Sequence, residues 1–417
     1  MKILIVSQYF WPENFRINDL TQELVQRGHS VSILTGIPNY PAGIVFDEYK
    51  KTPDSFRRYA NAEVFRVPML ARGKRNISLL LNYISFAVSA CLLGPWRLRG
   101  RQFDVIFVFQ TSPVTVGLPA ILLGRVKQAP VVFWVLDLWP ESLAAVGVVR
   151  SAKLLNWVGH LVRFIYAHCT LVLGQSRSFV SSIVKYCSDV QKIRHFSNWT
   201  EDAAAETDLV PASEVPVLND VFNVLFAGNL GDAQDLPAIL KAAEILKSCV
   251  NLRWLIVGDG RKFDWLQKEV RRRNLQDIVL VLGRYPLARM PSFYAHANAL
   301  LVSLKKDPAF SQTIPGKVQS YLMAGIPLVG MLDGEGSDVI MRANAGLVCE
   351  AGDSNGLAAA VTAMAAMTVD KRQQLGLNGR AFARKEFDRG LQMDRLEAFL
   401  HEAVVLYKKH NARARRF

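Results

Sequence analysis

The sequence predicts an α/β protein made of two doubly wound, mostly parallel sheets. The first observation is the stretch 222–330, where short apolar runs end in small-residue turns: FNVLFAGNLG, LRWLIVGDG, IVLVLGRYP and PGKVQSYLMAGIPLVG. Strands of a parallel sheet are covered on both faces, so they are uniformly apolar. The second observation is that the first half of the chain has the same organisation. The third is the length of 417 residues, which suits two domains of roughly 100–200 residues each.

The first half opens with the strand MKILIVS, whose loop leads into a helix with apolar positions at Ile17, Leu20, Leu24 and Val25. The turn RGH then leads into a second strand, VSILT. A strand, a helix and a strand joined by a long crossover form a βαβ unit, the building block of a parallel sheet. Five further segments have the same strand-like pattern: 62–67, 103–109, 130–136, 170–174 and 192–196.

The second half repeats this order. The strand VLFAGNLG is followed by a helix with apolar positions at Ile239, Leu240, Ala243 and Leu246, and then by LRWLIVGDG. Four further strands are predicted at 278–282, 298–303, 326–330 and 346–349. Parallel α/β sheets bind ligands at the carboxyl ends of their strands, so the glycine-bearing turns of this half predict a nucleotide site.

These elements divide the chain into four parts. We predict a first Rossmann-like domain over residues 1–198, a polar linker over 199–220, a second Rossmann-like domain over 221–383, and a helix over 384–417 that crosses back to the first domain. The two domains are expected to face each other across a cleft. The basic tail YKKHNARARRF is expected to fray.

The composition narrows the possible partners. A net charge of +14 indicates an anionic partner, which can be a nucleic acid, a nucleotide or an acidic lipid surface. Nucleic acid is disfavoured because the sequence has no zinc-finger, RNA-recognition or arginine-repeat signature. The five cysteines are scattered and form no C-x-x-C, so neither a disulfide framework nor a zinc site is expected. Scattered cysteines are typical of buried thiols in a reducing cytoplasm. The start, MKILIVSQYF, lacks the features of a signal peptide and enters a strand directly.

Several motifs together resemble a known family. They are ELVQRGHSVSILT, FAGNLGDAQDL, VGDG, and a lysine followed by GIPLVG within 317–330. In their order and spacing they resemble the GT-B fold and its family-4 retaining glycosyltransferases over essentially the whole chain. The motifs F-x-N-W at Phe196–Trp199 and D-L-W-P-E at Asp137–Glu141 are similar to a subgroup from O-antigen and capsule clusters. Members of that subgroup transfer fucose-type or N-acetylated amino sugars such as N-acetyl-L-fucosamine.

The resemblance implies a reaction and its partners. The donor would be a nucleotide sugar linked to UDP, and the acceptor a saccharide carried on a polyprenyl diphosphate at the inner face of the plasma membrane. The resemblance also implies a front-face mechanism, in which a donor phosphate oxygen helps to deprotonate the acceptor. No cofactor or metal is expected, and the sequence contains no Asp-x-Asp pair. The sequence leaves the oligomeric state open.

The donor site is predicted in the second domain. The set comprises Gly228, Asn229, Gly258, Gly260, Arg261, Arg284, Gln312, Gly316, Lys317, Ser320 and Glu335. The positions that carry the family's phosphate-binding Arg and Lys correspond here to Asn229 and to Gln234 or Asp235. Its two glutamates correspond to Gln312 and Ser320.

Lys317 is therefore the first candidate for phosphate, because Pro315 and Gly316 before it suit a helix start that binds anions. The glycines of Gly258-Asp259-Gly260 would let backbone approach the ligand. Three structural alternatives stay open: a surface turn capped by Lys317, a glycine pair that forms only a turn, and a solvated loop acid at Glu335.

The first domain is predicted to hold the acceptor. Glu13, Asn14 and Arg16 lie in the loop after the first strand, from which they can contact substrate. Asp137 follows the strand 130–136 and is the first candidate for a catalytic or sugar-orienting acid, with Glu141 second. The alternative is that both acids cap the next helix.

Residues 76–96, NISLLLNYISFAVSACLLGPW, carry no charge and are long enough to suggest a membrane helix. Basic residues flank this run: Arg72, Lys74, Arg75, Arg97, Arg99 and Arg101. An apolar helix with basic flanks can lie in the interface of an anionic membrane, which is the favoured interpretation. A docked helix of the first domain and a true membrane span are the alternatives.

Three functions therefore remain open from the sequence. The favoured one is a retaining glycosyltransferase acting on a lipid-linked acceptor. The second is a UDP-sugar 2-epimerase on the same fold. The third is a catalytically weak assembly scaffold, suggested by the absent Arg/Lys and Glu/Glu positions.

Overall fold

The computed structural model describes residues 1–73, 76–145, 151–200, 210–249 and 251–414. The chain forms two compact units, Met1–Ser197 with Met393–Phe417, and Asn198–Gln392. The segment predicted as a linker is counted with the second unit. The segment predicted as a single terminal helix is divided between the units at Met393.

The first unit contains a mostly parallel sheet. Its strands are β1 (Lys2–Val6), β2 (Ser30–Gly36), β3 (Arg58–Tyr59), β4 (Ala62–Val67), β5 (Val105–Gln110), β6 (Val131–Val135), β7 (Leu171–Gly174) and β8 (Ile193–His195). Their order is β3-β4-β2-β1-β5-β6-β7-β8. Each strand predicted for this half is present within two residues at either end. The strand β3 was not predicted, because its two residues, which pair antiparallel with β4, are too few to show an apolar pattern.

Helices cover this sheet. They are α1 (Arg16–Gln26), α2 (Asp47–Lys51), α3 (Asn76–Arg97), α4 (Gly117–Lys127), α5 (Glu141–Ala145), α6 (Ala152–His168) and α7 (Arg177–Val184). Buried side chains of α3, α4, α6 and α7 join the strands in one hydrophobic core, as Phe86, Leu123, Ile165 and Ile183 show. The apolar run 76–96 is thus a helix, with one of its faces in the core of the first unit.

The second unit contains a parallel sheet. Its strands are β9 (Phe222–Ala227), β10 (Leu252–Val257), β11 (Val279–Gly283), β12 (Ala299–Ser303), β13 (Leu328–Met331) and β14 (Gly346–Cys349). Their order is β11-β10-β9-β12-β13-β14. The strands β9 and β10 are buried throughout, as predicted, but β11 is only partly buried. The expectation that each apolar run is covered on both faces is wrong for β11, because this strand lies at an edge of the sheet.

Helices pack on both faces of this sheet. They are α8 (Leu236–Ile245), α9 (Phe263–Arg272), α10 (Met290–Tyr294), α11 (Pro308–Ser311), α12 (Gly316–Ala324), α13 (Glu335–Arg342), α14 (Ser354–Ala366) and α15 (Val369–Phe387), followed by α16 (Arg389–Ala414). Alternate strand residues enter opposite cores: Val224 and Phe226 pack with α8, α9 and α14, whereas Leu225 and Ala227 pack with α10, α12, α13 and α15. This alternation is the two-residue period of a strand.

The basic tail is ordered further than the sequence suggested. The last helix α16 continues to Ala414, so the fraying expected from residue 407 is wrong for the described part; residues 415–417 lie outside it. The helix is held by buried side chains earlier along its length, among them Leu396, Leu400 and Ala403.

Candidate functional site

Two glycine turns meet at the carboxyl end of the second sheet. Gly228 follows β9 and Gly258 follows β10, with φ angles of 138° and 145°. The amide of Gly228 donates to the carbonyl oxygen of Val257 at 2.9 Å. A Cβ atom on Gly258 would lie 1.9 Å from the carbonyl oxygen of Gly228. Glycine is needed here because the two loops pack backbone against backbone.

Glycine is needed at position 260 for the same structural reason. Its φ is 156°, and an added Cβ atom would lie 2.4 Å from the carbonyl oxygen of Leu230. The amide of Leu230 in turn donates to the carbonyl oxygen of Asp259 at 2.8 Å. The close approach that Gly258 and Gly260 permit is therefore an approach of one strand-end loop to the other.

Lys317 lies beside these loops. It is the second residue of α12, and its Nζ is 3.7 Å from the ring centroid of Phe226. A Cβ atom on Gly228 would come within 2.4 Å of the lysine Cε, so glycine at 228 makes room for this side chain. Among the described residues Nζ is buried and has no hydrogen-bond partner. Burial lowers the pKa of Lys317 to about 7, because desolvation disfavours the charged ammonium. Lys317 therefore does not cap a surface turn.

Tyr321 fastens α12 to the end of β9. Its buried hydroxyl accepts a hydrogen bond from the amide of Ala227 at 2.8 Å and donates one to the carbonyl oxygen of Ala227 at 3.0 Å. Tyr321 lies one turn after Lys317 and so fixes the helix start that carries the lysine. This residue was not among the predicted site residues, although its i+4 spacing from Lys317 is visible in the sequence.

The amino end of α12 adds to the anion-binding potential of this site. The first amides of a helix have no partners within the helix, and they point towards its amino end with a partial positive charge. Gly316, the first residue of α12, is exposed. A buried lysine and a helix start thus occur together, which is the arrangement expected of a phosphate site.

Two arginines follow neighbouring strands of the same sheet. Arg261 comes after β10 and Arg284 after β11; both are exposed, and neither has an ion-pair partner in the part of the chain that the structure describes. Asn229, after β9, is also exposed. Because β9, β10 and β11 are adjacent and parallel, these three side chains follow the carboxyl ends of neighbouring strands, where a bound anion could reach them.

The remaining predicted donor residues differ in their surroundings. Ser320 is exposed on α12, one turn after Lys317, and Gln312 is half-buried between α11 and α12. Glu335 is the first residue of α13 and is 3% exposed. The alternative of a solvated loop acid is therefore wrong for Glu335.

In the first unit, the buried carboxylate of Glu13 connects two loops through hydrogen bonds. Its carboxylate accepts hydrogen bonds from the backbone amides of Phe10 at 3.1 Å, Asn39 at 2.8 Å and Tyr40 at 2.7 Å. Burial raises the pKa of Glu13, and these hydrogen bonds oppose the shift. The carboxylate holds the loop after β1 against the loop after β2. Of its predicted partners in acceptor binding, Asn14 is exposed and Arg16 begins α1 half-buried.

Asp137 lies at the carboxyl end of β6. Its carboxylate accepts a hydrogen bond from the indole Nε1 of Trp139 at 3.0 Å, and its backbone oxygen accepts one from Gln110 at 3.0 Å. Burial raises the pKa of Asp137. Glu141 is the first residue of α5, and the pKa of Tyr186 is raised by burial and by the nearby Glu141 carboxylate.

A polar cluster that the sequence analysis missed links α3 to the end of β1. The side-chain oxygen of Asn82 accepts hydrogen bonds from Gln8 at 2.8 Å and from the Tyr9 hydroxyl at 3.2 Å. Its amide group donates to the carbonyl oxygen of Leu70 at 2.6 Å. Asn82 is a polar residue within the apolar run 76–96. It is fully buried and anchors the middle of α3.

The opposite face of α3 is exposed and apolar. We call it the α3 stripe; its large exposed residues are Ile77, Leu80, Leu81, Ile84, Val88, Leu92 and Trp96. By length and composition the segment Ile77–Arg97 could cross a membrane: its mean hydropathy is 1.9, and 33% of it is buried in the protein. Of the basic flanks named above, Lys74 and Arg75 lie outside the described residues.

Metal ligands do not cluster in the described part of the chain. No group of three or more His, Cys, Asp or Glu side chains there is placed to hold a metal ion.

Known proteins match both halves of the chain. Residues 14–199 match the family described as Glycosyl transferase 4-like domain, and residues 221–366 match Glycosyl transferases group 1. The chain is 25% identical over 343 residues to the putative colanic acid biosynthesis glycosyl transferase WcaI of Escherichia coli K12, which covers 78% of this chain and 82% of that protein. It is 22% identical over 353 residues to N-acetyl-alpha-D-glucosaminyl L-malate synthase of Bacillus anthracis, covering 82% and 81%.

Solved structures match nearly the whole chain. Alr3699/HepE of Anabaena, in complex with UDP, is similar with a TM-score of 0.65 and 13% identity over 96% of this chain and 100% of that chain. The two parallel sheets together with these matches confirm the predicted GT-B fold.

Proposed function

We propose that the second unit of this glycosyltransferase binds the diphosphate of a nucleotide-sugar donor at Lys317. The protein is a glycosyltransferase because its first half matches the glycosyl transferase 4-like domain and its second half matches glycosyl transferases group 1. The observation that carries this proposal is the buried Nζ of Lys317, which has no hydrogen-bond partner among the described residues. A buried ammonium without an anion is unfavourable, and a bound diphosphate would supply the missing partner.

The chemistry of transfer requires positive charge at this place. The bond between the sugar and the diphosphate breaks, and the nucleoside diphosphate leaves with developing negative charge. The protonated Lys317 and the first amides of α12 would stabilise that charge without a metal ion. Arg261 and Arg284, exposed after neighbouring strands, would add to the same field.

The donor is proposed to be a UDP-sugar. UDP is bound by the structural neighbour Alr3699/HepE. The cationic contacts to the diphosphate would be the same for UDP and for GDP. Following the subgroup resemblance, we propose a fucose-type sugar such as N-acetyl-L-fucosamine, transferred with retention of its anomeric configuration. A donor phosphate oxygen would then take the proton of the acceptor hydroxyl while the hydroxyl oxygen of the acceptor forms its bond to the sugar.

The acceptor is proposed to be a saccharide on a polyprenyl diphosphate, extended during the synthesis of O-antigen or capsule. The name of the WcaI relative points to polysaccharide synthesis. The α3 stripe supports a membrane-borne acceptor, because an exposed apolar helix face suits the interface of a bilayer. The protein would then lie on the cytoplasmic face of the plasma membrane. Asp137, whose pKa is raised by burial, would orient or protonate groups of the reacting sugars.

The experiment that tests this function is a transfer assay. Wild-type protein is incubated with a panel of UDP- and GDP-sugars and a short polyprenyl-diphosphate saccharide, and lipid products are separated by mass. We expect a sugar-extended lipid with one UDP-sugar. The Lys317→Met variant should make far less of it, whereas Lys268→Met, which removes an exposed lysine of α9, should match wild type.

Two other outcomes would assign a different function. A nucleotide sugar altered without any acceptor would identify an epimerase-type enzyme. Tight nucleotide binding with no product from any donor would identify an assembly scaffold.

A further inference from the structure

A cavity of about 600 Å³ lies at one edge of the first unit. Its walls come from α2, the 3₁₀ turn Pro53–Arg57, the strands β3 and β4, and the end of α3. The volume is in the range of small-molecule sites. None of the residues that line it belongs to the donor, acceptor or catalytic sets described above.

The cavity is rich in cations. Four arginines line it: Arg57, Arg58, Arg66 and Arg97. Arg66 is a fixed part of the wall, because it donates to the carbonyl oxygens of Gly36 and Trp11 and lies 5.3 Å over the ring of Tyr49. Arg58 and Arg97 are exposed, and within the described residues neither has a carboxylate partner.

The two carboxylates of the cavity are already engaged. Asp54 pairs with Arg57 at 2.8 Å. Glu63 accepts from both terminal nitrogens of Arg101, one of them at 2.9 Å. Neutral sugars are held by donors and acceptors together, whereas here both carboxylates are in ion pairs and the four arginines outnumber them. The cavity therefore suits an anion, and guanidinium groups bind phosphate in a bidentate geometry.

The mouth of the cavity joins the α3 stripe. Trp96 is the last residue of the stripe, is 66% exposed, and also lines the cavity. The guanidinium of Arg97 lies 5.5 Å over the Trp96 ring. At 1.5 Å per residue the stripe is roughly 28 Å long. A ligand here would meet cations at one end and a long apolar surface beside them.

We propose that this cavity binds a phosphate group carried by a membrane lipid, with the α3 stripe lying in the same bilayer surface. Arg58 and Arg97 would contact the phosphate, and Trp96 would lie at the level of the head groups, where aromatic side chains are favoured. The lining residues of the cavity are all in the first unit, whereas Lys317 belongs to the second. This proposal rests on the proposed function only in that α3 contacts a bilayer.

The phosphate could come from a bilayer phospholipid or from the polyprenyl diphosphate of the acceptor. Binding is therefore measured by flotation with two sets of phosphatidylcholine vesicles, one containing phosphatidylglycerol and one containing polyprenyl diphosphate. Neither nucleotide sugar nor saccharide is present, so that failure of sugar transfer and failure of this site are separate results. Preference for one set identifies the source, and binding supports a lipid phosphate in the cavity only where the arginine variants weaken it.

The decisive variants change the cations. We expect Arg58→Ala with Arg97→Ala to weaken binding by about fivefold for each arginine removed. A matched pair on α15, Arg384→Ala with Lys385→Ala, removes the same charge from exposed positions elsewhere and should bind like wild type. The charge-conserving pair Arg58→Lys with Arg97→Lys should also bind several-fold more weakly, because lysine cannot form the bidentate contact.

Two results would overturn the proposal. If the alanine pair binds both vesicle sets as tightly as wild type, the cavity holds no lipid phosphate. If the lysine pair binds like wild type while the alanine pair does not, the attraction is diffuse and no site exists in the cavity. Thermal unfolding of each variant, compared with wild type, checks that a loss of binding is not a loss of folding.

Discussion

Replacement of Lys317 by methionine should stabilise the protein while it weakens donor binding. Methionine keeps an unbranched, apolar side chain in the same space and removes only the buried amine. Burial lowers the pKa of Lys317 from 10.5 to about 7. Since one pKa unit corresponds to about 1.4 kcal/mol, this lysine costs on the order of 4 kcal/mol of stability at neutral pH.

The pH dependence gives the sign of the effect. Lys317 titrates near 10.5 in the unfolded chain and near 7 in the folded one. Between these pH values the unfolded state binds more protons, so the lysine makes the free energy of unfolding rise with pH. Its destabilising effect is largest below about pH 7 and disappears above about pH 10.5. The methionine variant should lack this slope.

The assay is thermal unfolding of wild type, Lys317→Met and Lys268→Met across this pH range. A domain of this size shifts its melting temperature by roughly 2–4 °C per kcal/mol, so the gain for Lys317→Met near neutral pH should be about 10 °C. It should shrink as the pH rises, and Lys268→Met should follow wild type throughout. If Lys317→Met is less stable than wild type at every pH, the lysine is charged and paired in the free protein.

Three further substitutions test the parts that hold the sites. Tyr321→Phe leaves the amide and carbonyl of Ala227 unpaired, so it should lower the free energy of unfolding by about 1–3 kcal/mol and weaken UDP binding in calorimetry. Glu13→Ala leaves three buried amides without an acceptor and should cost roughly 3 kcal/mol or more in chemical denaturation; an unchanged midpoint would contradict the bracing role. Gly258→Ala places a Cβ atom 1.9 Å from a backbone oxygen and should abolish UDP binding. The control is Gly283→Ala, at a position that also has a positive φ but where an added Cβ atom has nothing within 4 Å. This control should lower the free energy of unfolding only by its backbone strain, about 1–2 kcal/mol.

The two sheets could be predicted from the sequence because their signal is local. Buried parallel strands read as apolar runs, and the turns after β9 and β10 needed glycine for backbone contact. The same local patterns could not show that β11 is an edge strand, since strand order depends on contacts between distant segments. Nor could they show β3, which has only two residues.

The site was predicted less completely, for the same physical reason. Lys317 was visible because it follows Pro315 and Gly316 at a helix start. The bracing role of Glu13 depends on amides of Asn39 and Tyr40, which follow it by 26 and 27 residues. The cationic cavity was not visible at all. Its arginines Arg58 and Arg97 come from a short strand and the end of a long helix, and their meeting at one cavity is a property of the folded chain.

The most direct test of the donor site is a calorimetric titration of UDP into wild type and Lys317→Met. We expect the affinity of wild type to fall by up to about tenfold per pH unit above pH 7, because the free lysine must take up a proton to bind the diphosphate. The variant should bind at least about tenfold more weakly, since a hydrogen bond to a charged group contributes roughly 1.5–3 kcal/mol, and its affinity should not change over the same pH range. Equal affinity of the two proteins for UDP, with the same pH dependence, would show that Lys317 does not hold the donor.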